Sequence, residues 1–495
     1  MSTKKLKIHP VIQLRTNASA FDRRTKFAAK MIYRVHFIGI GGIGVSALAG
    51  YYITKGHKVS GSDLVSSEIT DALGKKGVKI FIGGQKSENL PKNADLVIYS
   101  PAVPNSDLGL KRAKKLGIKC LSYPQALGEL VKQHFTIAVS GTHGKSTTTA
   151  MIALILIKAG LNPTVIIGTK LKEFGDSNFR IGGNPNPKYK ILNTKYLVIE
   201  ADEHMASFLN YWPKIIVLTN IEKDHLDYYK NLENILKTFK KYVDHLPENG
   251  VLVANWDDKN INSKLQIPNT KQITSSKYQI KKYSLKQPEA KKLKKILKIP
   301  GEHNVYNALA ALSAARVLKI PDTISFKALS KYKGAWRRFE EHEVKIGNCK
   351  LKIISDYGHH PTKVRVTLDA AREKYPKKEI WCVYQPHQYQ RTYYLFRDFV
   401  KVFRKAPIDK IIITDIFDVA GREEKSIKQK VNSEKLVKAI NKKRISYLPT
   451  KKISDYLKNN LRGGEVVIIM GAGDIYNLAA HLTKKKNRKK IKAEG

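Results

Sequence analysis

Val139-Ser140-Gly141-Thr142-His143-Gly144-Lys145-Ser146 carries the plainest chemistry in this chain. Small residues at such a loop let backbone N–H groups cradle phosphates, while a lysine reaches the β/γ oxygens and a Ser hydroxyl ligates Mg²⁺. The strict pattern places a glycine where Val139 stands, but the closing G-K-S is intact. Gly141, Thr142, His143, Gly144, Lys145, Ser146 and Thr147 are therefore candidate ATP ligands. A magnesium site also needs carboxylates, and Y-L-V-I-E-A-D-E offers Glu200, Asp202 and Glu203 where an apolar run stops. A second run ends in T-N-I-E-K-D-H-L-D, contributing Asn220, Asp224 and His225. Hard oxygen ligands suit Mg²⁺. Glu200 follows its apolar run directly, whereas Asp202 and Glu203 could equally be solvated loop acids.

An earlier glycine loop, Gly39-Ile40-Gly41-Gly42-Ile43-Gly44, follows an apolar run and opens a helical stretch. This is the G-x-G-x-x-G pattern in its required context, suited to a diphosphate at a helix N-terminus. Asp63 lies nineteen residues beyond Gly44, where an acid can bond a ribose hydroxyl. The alternative is a tight turn that only packs a helix. Nothing in the pattern selects nicotinamide.

These loops demand parallel α/β scaffolds, and the chain supplies that alternation three times. Strands are expected near 32–40, 57–60, 79–82 and 95–100, then at 135–139, 196–199 and 215–219. A third set falls near 352–355, 380–384, 410–414 and 465–470. The reading is an α/β protein with a basic arm (1–30), a Rossmann-like domain (31–132) and a central P-loop domain (133–340). A C-terminal Rossmann-like domain (341–483) and a basic tail (484–495) complete it.

The 495 residues, 42% hydrophobic, are enough for several cores. Cys120, Cys349 and Cys382 are too dispersed for a disulfide framework or zinc ribbon, which fits a reducing compartment. No apolar run approaches the ~18–20 residues that span a bilayer, and the N-terminal residues lack a signal-peptide pattern. A cytoplasmic protein without membrane insertion is expected. The net charge of +48 includes +7 on residues 1–30 and +6 on 484–495. The rest is scattered as surface lysines, so no specific nucleic-acid partner is expected.

The segments F-I-G-I-G-G-I-G, S-G-T-H-G-K-S-T-T-T, E-A-D-E, T-N-I-E-K-D-H-L-D, P-G-E-H-N-V-Y-N-A, R-R-F-E, D-Y-G-H-H-P-T, Q-P-H-Q-Y-Q-R-T and G-A-G-D-I-Y occur in that order between Phe37 and Ala479. Together they resemble the Mur ligase family, the ATP-dependent amide ligases of peptidoglycan precursor synthesis. T-H-G-K and D-Y-G-H-H-P-T favour its alanine-adding branch. The resemblance implies that L-alanine is joined to the carboxylate of UDP-N-acetylmuramate through an acyl phosphate, with ATP and Mg²⁺. Gly39, Gly41, Gly42, Gly44 and Asp63 would then serve the UDP-sugar rather than a dinucleotide. By position, Ser146, Glu200 and His225 match metal-associated residues, and Asn304 the adenine-side asparagine. Arg337, Arg338 and Asp356 match nucleotide-contacting positions, and Tyr357, His359 and Arg391 the region that seats the amino acid. The implied catalytic set is Lys145, Glu200, His225, Arg337 and His359, with His359 chemically suited to be the base.

Three departures qualify the resemblance. Gln388 stands where the family motif has the first of two arginines, so glycine, L-serine or a preformed peptide also fit the acceptor position. Residues 416–426 are more charged than expected, and Tyr476 replaces the third glycine after G-A-G-D. From other classes, a nicotinamide oxidoreductase leaves the ATP loop unexplained. A nucleic-acid-stimulated P-loop ATPase rests on charge alone. Oligomeric state is not written in these residues.

Overall fold

The computed structural model describes residues 32–83, 86–183, 194–265, 278–346, 349–419 and 424–483. The basic arm, the basic tail and residues 420–423 of the charged segment lie outside this set. Three separate sheets follow one another along the chain.

The first holds β1 (Arg34–Ile38), β2 (Lys58–Asp63), β3 (Lys79–Ile82), β4 (Leu96–Tyr99) and β5 (Lys119–Ser122), all parallel, in the order β3-β2-β1-β4-β5. Order reverses between β1 and β4, and the glycine loop leaves the C-terminal end of β1. Ligands of open α/β sheets gather at such a crevice.

The second holds β6 (Phe135–Ser140), β7 (Thr164–Leu171), β8 (Ser177–Arg180), β9 (Tyr196–Glu200), β10 (Ile215–Leu218), β11 (Val251–Asn255) and β12 (Gln279–Tyr283). Its order is β12-β11-β10-β6-β9-β7-β8, parallel except for the β7–β8 pair. β6 lies centrally, with β9 and β10 on its two sides, so loops carrying Lys145, Glu200 and His225 issue from adjacent strand ends. The helix Lys145–Lys158 is buried from Ser146 to Leu156 except at Leu154, packed against the helix Glu302–Val317. After its polar first turn, the run Ala150–Ile157 is apolar on every face, and such a sequence is stable only when enclosed.

The third comprises β13 (Glu340–Ile346), β14 (Cys349–Asp356), β15 (Ile380–Tyr384), β16 (Lys410–Ile413), β17 (Ile445–Tyr447) and β18 (Val466–Met470), in the order β13-β14-β18-β15-β16-β17. The β13–β14 hairpin alone is antiparallel. One buried cluster runs from Phe37, Leu48 and Leu127 of the first sheet's layer into Phe208, Tyr211 and Phe239 of the second. The third sheet packs around separate clusters. No helix among the described residues is long and apolar enough to cross a membrane.

His36, on β1, is 1% exposed and its Nδ1 pairs with Ser60 Oγ at 2.9 Å. Burial pushes its pKa down to about 4. Between pH 6.5 and 4 the unfolded chain binds a proton there that the folded chain refuses, so stability falls with pH at up to about 1.4 kcal/mol per unit from this group. Urea unfolding at pH 7.5, 6 and 5 is expected to show that loss below 6.5, with a shallower slope in His36→Gln. Identical slopes in the two proteins would remove His36 from the acid response.

Candidate active site

Gly141 (φ 130°) and Gly144 (φ 81°) make the turn from β6 into its helix. A side chain at Gly144 would meet Asn307 Oδ1 at 2.3 Å, so only glycine fits. The loop is pinned by the strand beside it. Thr142 N donates to the Asn220 carbonyl (3.0 Å), and His143 N to Asn220 Oδ1 (2.8 Å). Thr219 Oγ1 donates to the His143 carbonyl at 2.6 Å.

Lys145 Nζ donates to the Gly141 carbonyl at 2.8 Å and to Glu203 Oε2 at 2.6 Å, with Asp202 Oδ1 at 3.4 Å. Burial works against its charge, but Glu203 and Asp202 outweigh that and hold its pKa above the ordinary range. Glu203 is no solvated loop acid: its side chain is 4% exposed, and burial pushes its carboxyl up to about 7. Asp202 is 56% exposed at the side chain.

The expected metal-associated residues fall into two groups on either side of Lys145. Glu200 accepts from Gly168 N (2.8 Å) and lies beside Ser146, whose Oγ accepts from Arg338 Nη2 at 3.0 Å. His225 joins Asp202 and Glu203, the three offering ligand atoms within 4.8 Å of one another. Burial raises Glu200 and lowers His225 to about 4, which leaves the His225 imidazole unprotonated, as a metal ligand must be. Hydroxyl and carboxylate oxygens fit Mg²⁺.

A cleft of about 1090 Å³ opens above these groups, walled by all three sheets' loops. Gly42, Gly44 and Tyr123 come from the first, the P-loop, Glu200, His225 and Asn304 from the second. Arg338, Asp356, Tyr357, His359, Lys363, Gln388 and Arg391 come from the third. The third domain is tied to the central one at several places, two of them at the end of β10. Arg391 Nε meets Asp224 Oδ1 at 3.0 Å, both side chains 6% exposed or less. Glu222 Oε2 accepts from Thr362 Oγ1 at 2.6 Å and lies 3.2 Å from His143 Nε2, while His360 Nε2 pairs with the Lys223 carbonyl at 2.9 Å.

Three family descriptions match the chain in succession. Residues 34–135 match the family described as "Mur ligase family, catalytic domain", 139–315 the "Mur ligase middle domain", and 337–473 the "Mur ligase, glutamate ligase domain". A UDP-N-acetylmuramate–L-alanine ligase of Acetivibrio thermocellus is 41% identical over 471 residues, covering 91% of this chain and 96% of that protein. The chain belongs to the Mur ligase family. Another enzyme of the same name, from Clostridium kluyveri, is 38% identical over 90% of this chain and 96% of its own. In fold, the chain resembles a UDP-N-acetylmuramate–alanine ligase from Thermotoga maritima (TM-score 0.72, 24% identity, 91% of this chain and 98% of that one). A murein peptide ligase from Psychrobacter arcticus gives TM-score 0.67 at 24% identity, with the same coverage.

Within this Mur ligase the remaining expected residues divide. Asn304 Nδ2 donates to the Pro300 carbonyl, and its Oδ1 accepts from Asn307 Nδ2, which fixes the amide at the cleft wall. Asp356 is braced by Phe339 N, Gly358 N and Thr367 Oγ1. His359 turns Nδ1 to the Tyr357 carbonyl (2.9 Å), and burial with nearby Lys363 and Arg391 drives its pKa well below the usual range. Arg337 is not brought to the phosphate loop. Its guanidinium donates to the Gly471 carbonyl at 2.5 Å and lies over the Tyr357 and Tyr476 rings, so it clasps the third domain while neighbouring Arg338 reaches Ser146. Tyr476, out of place as a dinucleotide-loop residue, serves as part of that clasp.

At the first loop, Gly39 takes φ 77° and Gly42 caps the helix Ile43–Thr54. Asp63 Oδ2 accepts from Gly41 N (2.8 Å) and Oδ1 from Leu64 N (2.8 Å), so this carboxylate shapes the loop itself. A Cβ on Gly41 would meet Asp63 Oδ2 at 2.9 Å and Thr70 Cγ2 at 3.1 Å. Gly41→Val is therefore expected to weaken UDP-sugar binding at least ~10-fold by displacing the loop amides, with ATP affinity unchanged. Calorimetry giving equal losses for both ligands would refute that placement.

Glu222, His360, Thr362 and Lys363 were not among the expected site residues, although the first three lie inside T-N-I-E-K-D-H-L-D and D-Y-G-H-H-P-T and Lys363 directly follows the second.

Proposed function

We propose that the chain joins L-alanine to the carboxylate of UDP-N-acetylmuramate with hydrolysis of ATP to ADP. One observation carries the reading: a glycine loop, a P-loop and a His/Arg wall from three domains meet in one cleft, in a chain similar along most of its length to ligases of that name.

A carboxylate does not acylate an amine at neutral pH, so phosphoryl transfer must activate it first. Lys145 and Arg338 both border the phosphate loop, where they would offset charge that grows on the γ-phosphate in the transition state. Glu203 and Asp202 keep Lys145 protonated until phosphate replaces them. Ser146 with Glu200, and His225 with Asp202 and Glu203, would hold Mg²⁺, which neutralises phosphate charge when bound. Gly42 and Gly44 border the region for the UDP-sugar, and Asn304 the side for the base. Tyr357, His359 and Arg391 form the wall facing the amine. His359 stays neutral, its Nε2 3.4 Å from Lys363 Nζ, a weak base suited to the acidic ammonium of the tetrahedral intermediate.

The deciding experiment supplies ATP, Mg²⁺ and UDP-N-acetylmuramate with L-alanine, glycine, L-serine or a tripeptide, scoring phosphate release and product mass. Ligation of L-alanine at the highest kcat/KM is expected. Preference for the peptide, or hydrolysis driven by nucleic acid and not by UDP-sugar, would overturn the reading.

A further inference from the structure

Gln388 leaves a gap in charge where an amino-acid carboxylate would sit, and the structure shows how the other cations of the cleft are committed. Lys145 is held by Glu203 and Asp202. Arg338 lies at Ser146, on the phosphate side. Arg391 is engaged by Asp224 through Nε, and its Nη1 lies 3.2 Å from His387 Nδ1.

Lys363 shares with Arg338 the absence of a paired carboxylate among the described residues, but it contacts His359 where Arg338 contacts Ser146. It stands in the first turn of the helix Pro361–Lys374, on the third-domain wall of the cleft. Its Nζ lies 3.4 Å from His359 Nε2. Among the described residues no carboxylate oxygen comes within 4.0 Å of it. Burial and the charges of Lys145, Arg338 and Arg391, against the pull of Asp224, bring its pKa down to about 8. A cation so placed gains most from an arriving anion. His359 in turn lies 5.8 Å, ring to ring, from His387, the residue before Gln388. Lys363, His359, His387 and Gln388 thus line one stretch of the third-domain wall, close enough to the phosphate loop that Lys145 and His143 both feel the Lys363 charge.

We propose that Lys363 binds the carboxylate of the incoming amino acid, supplying the charge that Gln388 does not. This rests on the amino-acid ligase reading above. A phosphate role is disfavoured because Lys145 and Arg338 already occupy that end. The amine of the bound amino acid would then point toward the acyl group, with His359 between the two ends.

The test compares the wild-type chain with Lys363→Met and Lys363→Arg, using L-alanine and L-alaninamide, which lacks the carboxylate. In Lys363→Met the KM for L-alanine should rise at least ~10-fold, as loss of a charge-assisted contact implies. The KM values for ATP and UDP-N-acetylmuramate should stay within about twofold, and the preference for alanine over alaninamide should collapse. Lys363→Arg should keep most of that preference. An unchanged alanine-to-alaninamide ratio in a folded Lys363→Met protein overturns the Lys363 assignment alone, as does a rise in the KM for ATP. Failure of the wild-type chain to ligate any free amino acid overturns the reaction reading, and this inference with it.

Discussion

Lys145→Met is expected to lower the rate of amide formation by about 10²–10³-fold or more while the three sheets persist. The loss follows from what the side chain faces. Its Nζ lies at the mouth of a loop whose backbone is fixed by Asn220 and Thr219, so the charge is held in place before substrate arrives. Preorganised charge of this kind contributes more to the transition state than to substrate binding. Methionine keeps the stem and removes only the ammonium group. Glu203 is then left buried without its partner, which ordinarily costs about 3–5 kcal/mol. Here the carboxyl, already pushed up to about 7 by burial, takes up a proton instead and the cost shrinks. Lys145→Met/Glu203→Gln should therefore match the wild-type melting temperature yet remain inactive. Single-turnover phosphate release near the wild-type rate in either variant would sink the assignment of Lys145 to the transferring phosphate.

Much of the machinery that surrounds Lys145 could be read from residue order, because a strand–loop–helix turn is a local object. The spacing of Gly141, Gly144 and Lys145 and the end of the apolar run at Glu200 each imply a position on a parallel sheet. The structure puts them at adjacent strand ends. Short edge strands such as β5, β8 and β17 were not legible. Length alone does not decide this, since the four-residue edge strand β3 was expected while the longer β7, β11, β12 and β13 were not. Strand stability comes largely from neighbours across the sheet. Side-chain direction was lost for a different reason. Arg337 and Arg338 are consecutive, and nothing in R-R-F-E says which guanidinium faces Ser146. The positive φ of Arg337 (55°) and Phe339 (50°) at this interdomain crossing settles it by turning the chain. Lys363 was hidden by composition, one of 90 Lys and Arg in a chain whose lysines mostly coat helices. Glu222 and Asp224 gain their roles only from a third domain more than 130 residues further on.

That distance is why Arg391 carries the second large effect. The resemblance assigns Arg391 to the amino-acid region, but its Nε is paired with Asp224 in a setting where both side chains are 6% exposed or less. Asp224 leaves β10's end in the central domain, and Arg391 sits on the helix Tyr389–Tyr394 of the third. The pair therefore fastens one domain to the other. Arg391→Met leaves a buried carboxylate unpaired, at a cost of about 3–5 kcal/mol. Such a cost falls on domain closure, so kcat/KM should drop by about 10²-fold or more for all three substrates together. Asp224→Asn should do the same although it leaves Arg391 itself unaltered, because the guanidinium then loses its counter-charge. Arg391→Met/Asp224→Leu removes both charges and should recover at least tenfold over either single variant, since no unpaired group remains. Steady-state kinetics in each substrate decide the matter, with scattering or an interdomain fluorescence distance reporting closure. If Arg391→Met raises only the amino-acid KM, and Asp224→Asn leaves that KM unchanged, Arg391 grips the carboxylate itself. The charge at position 363 would then be an addition to an anchor already present, not its replacement.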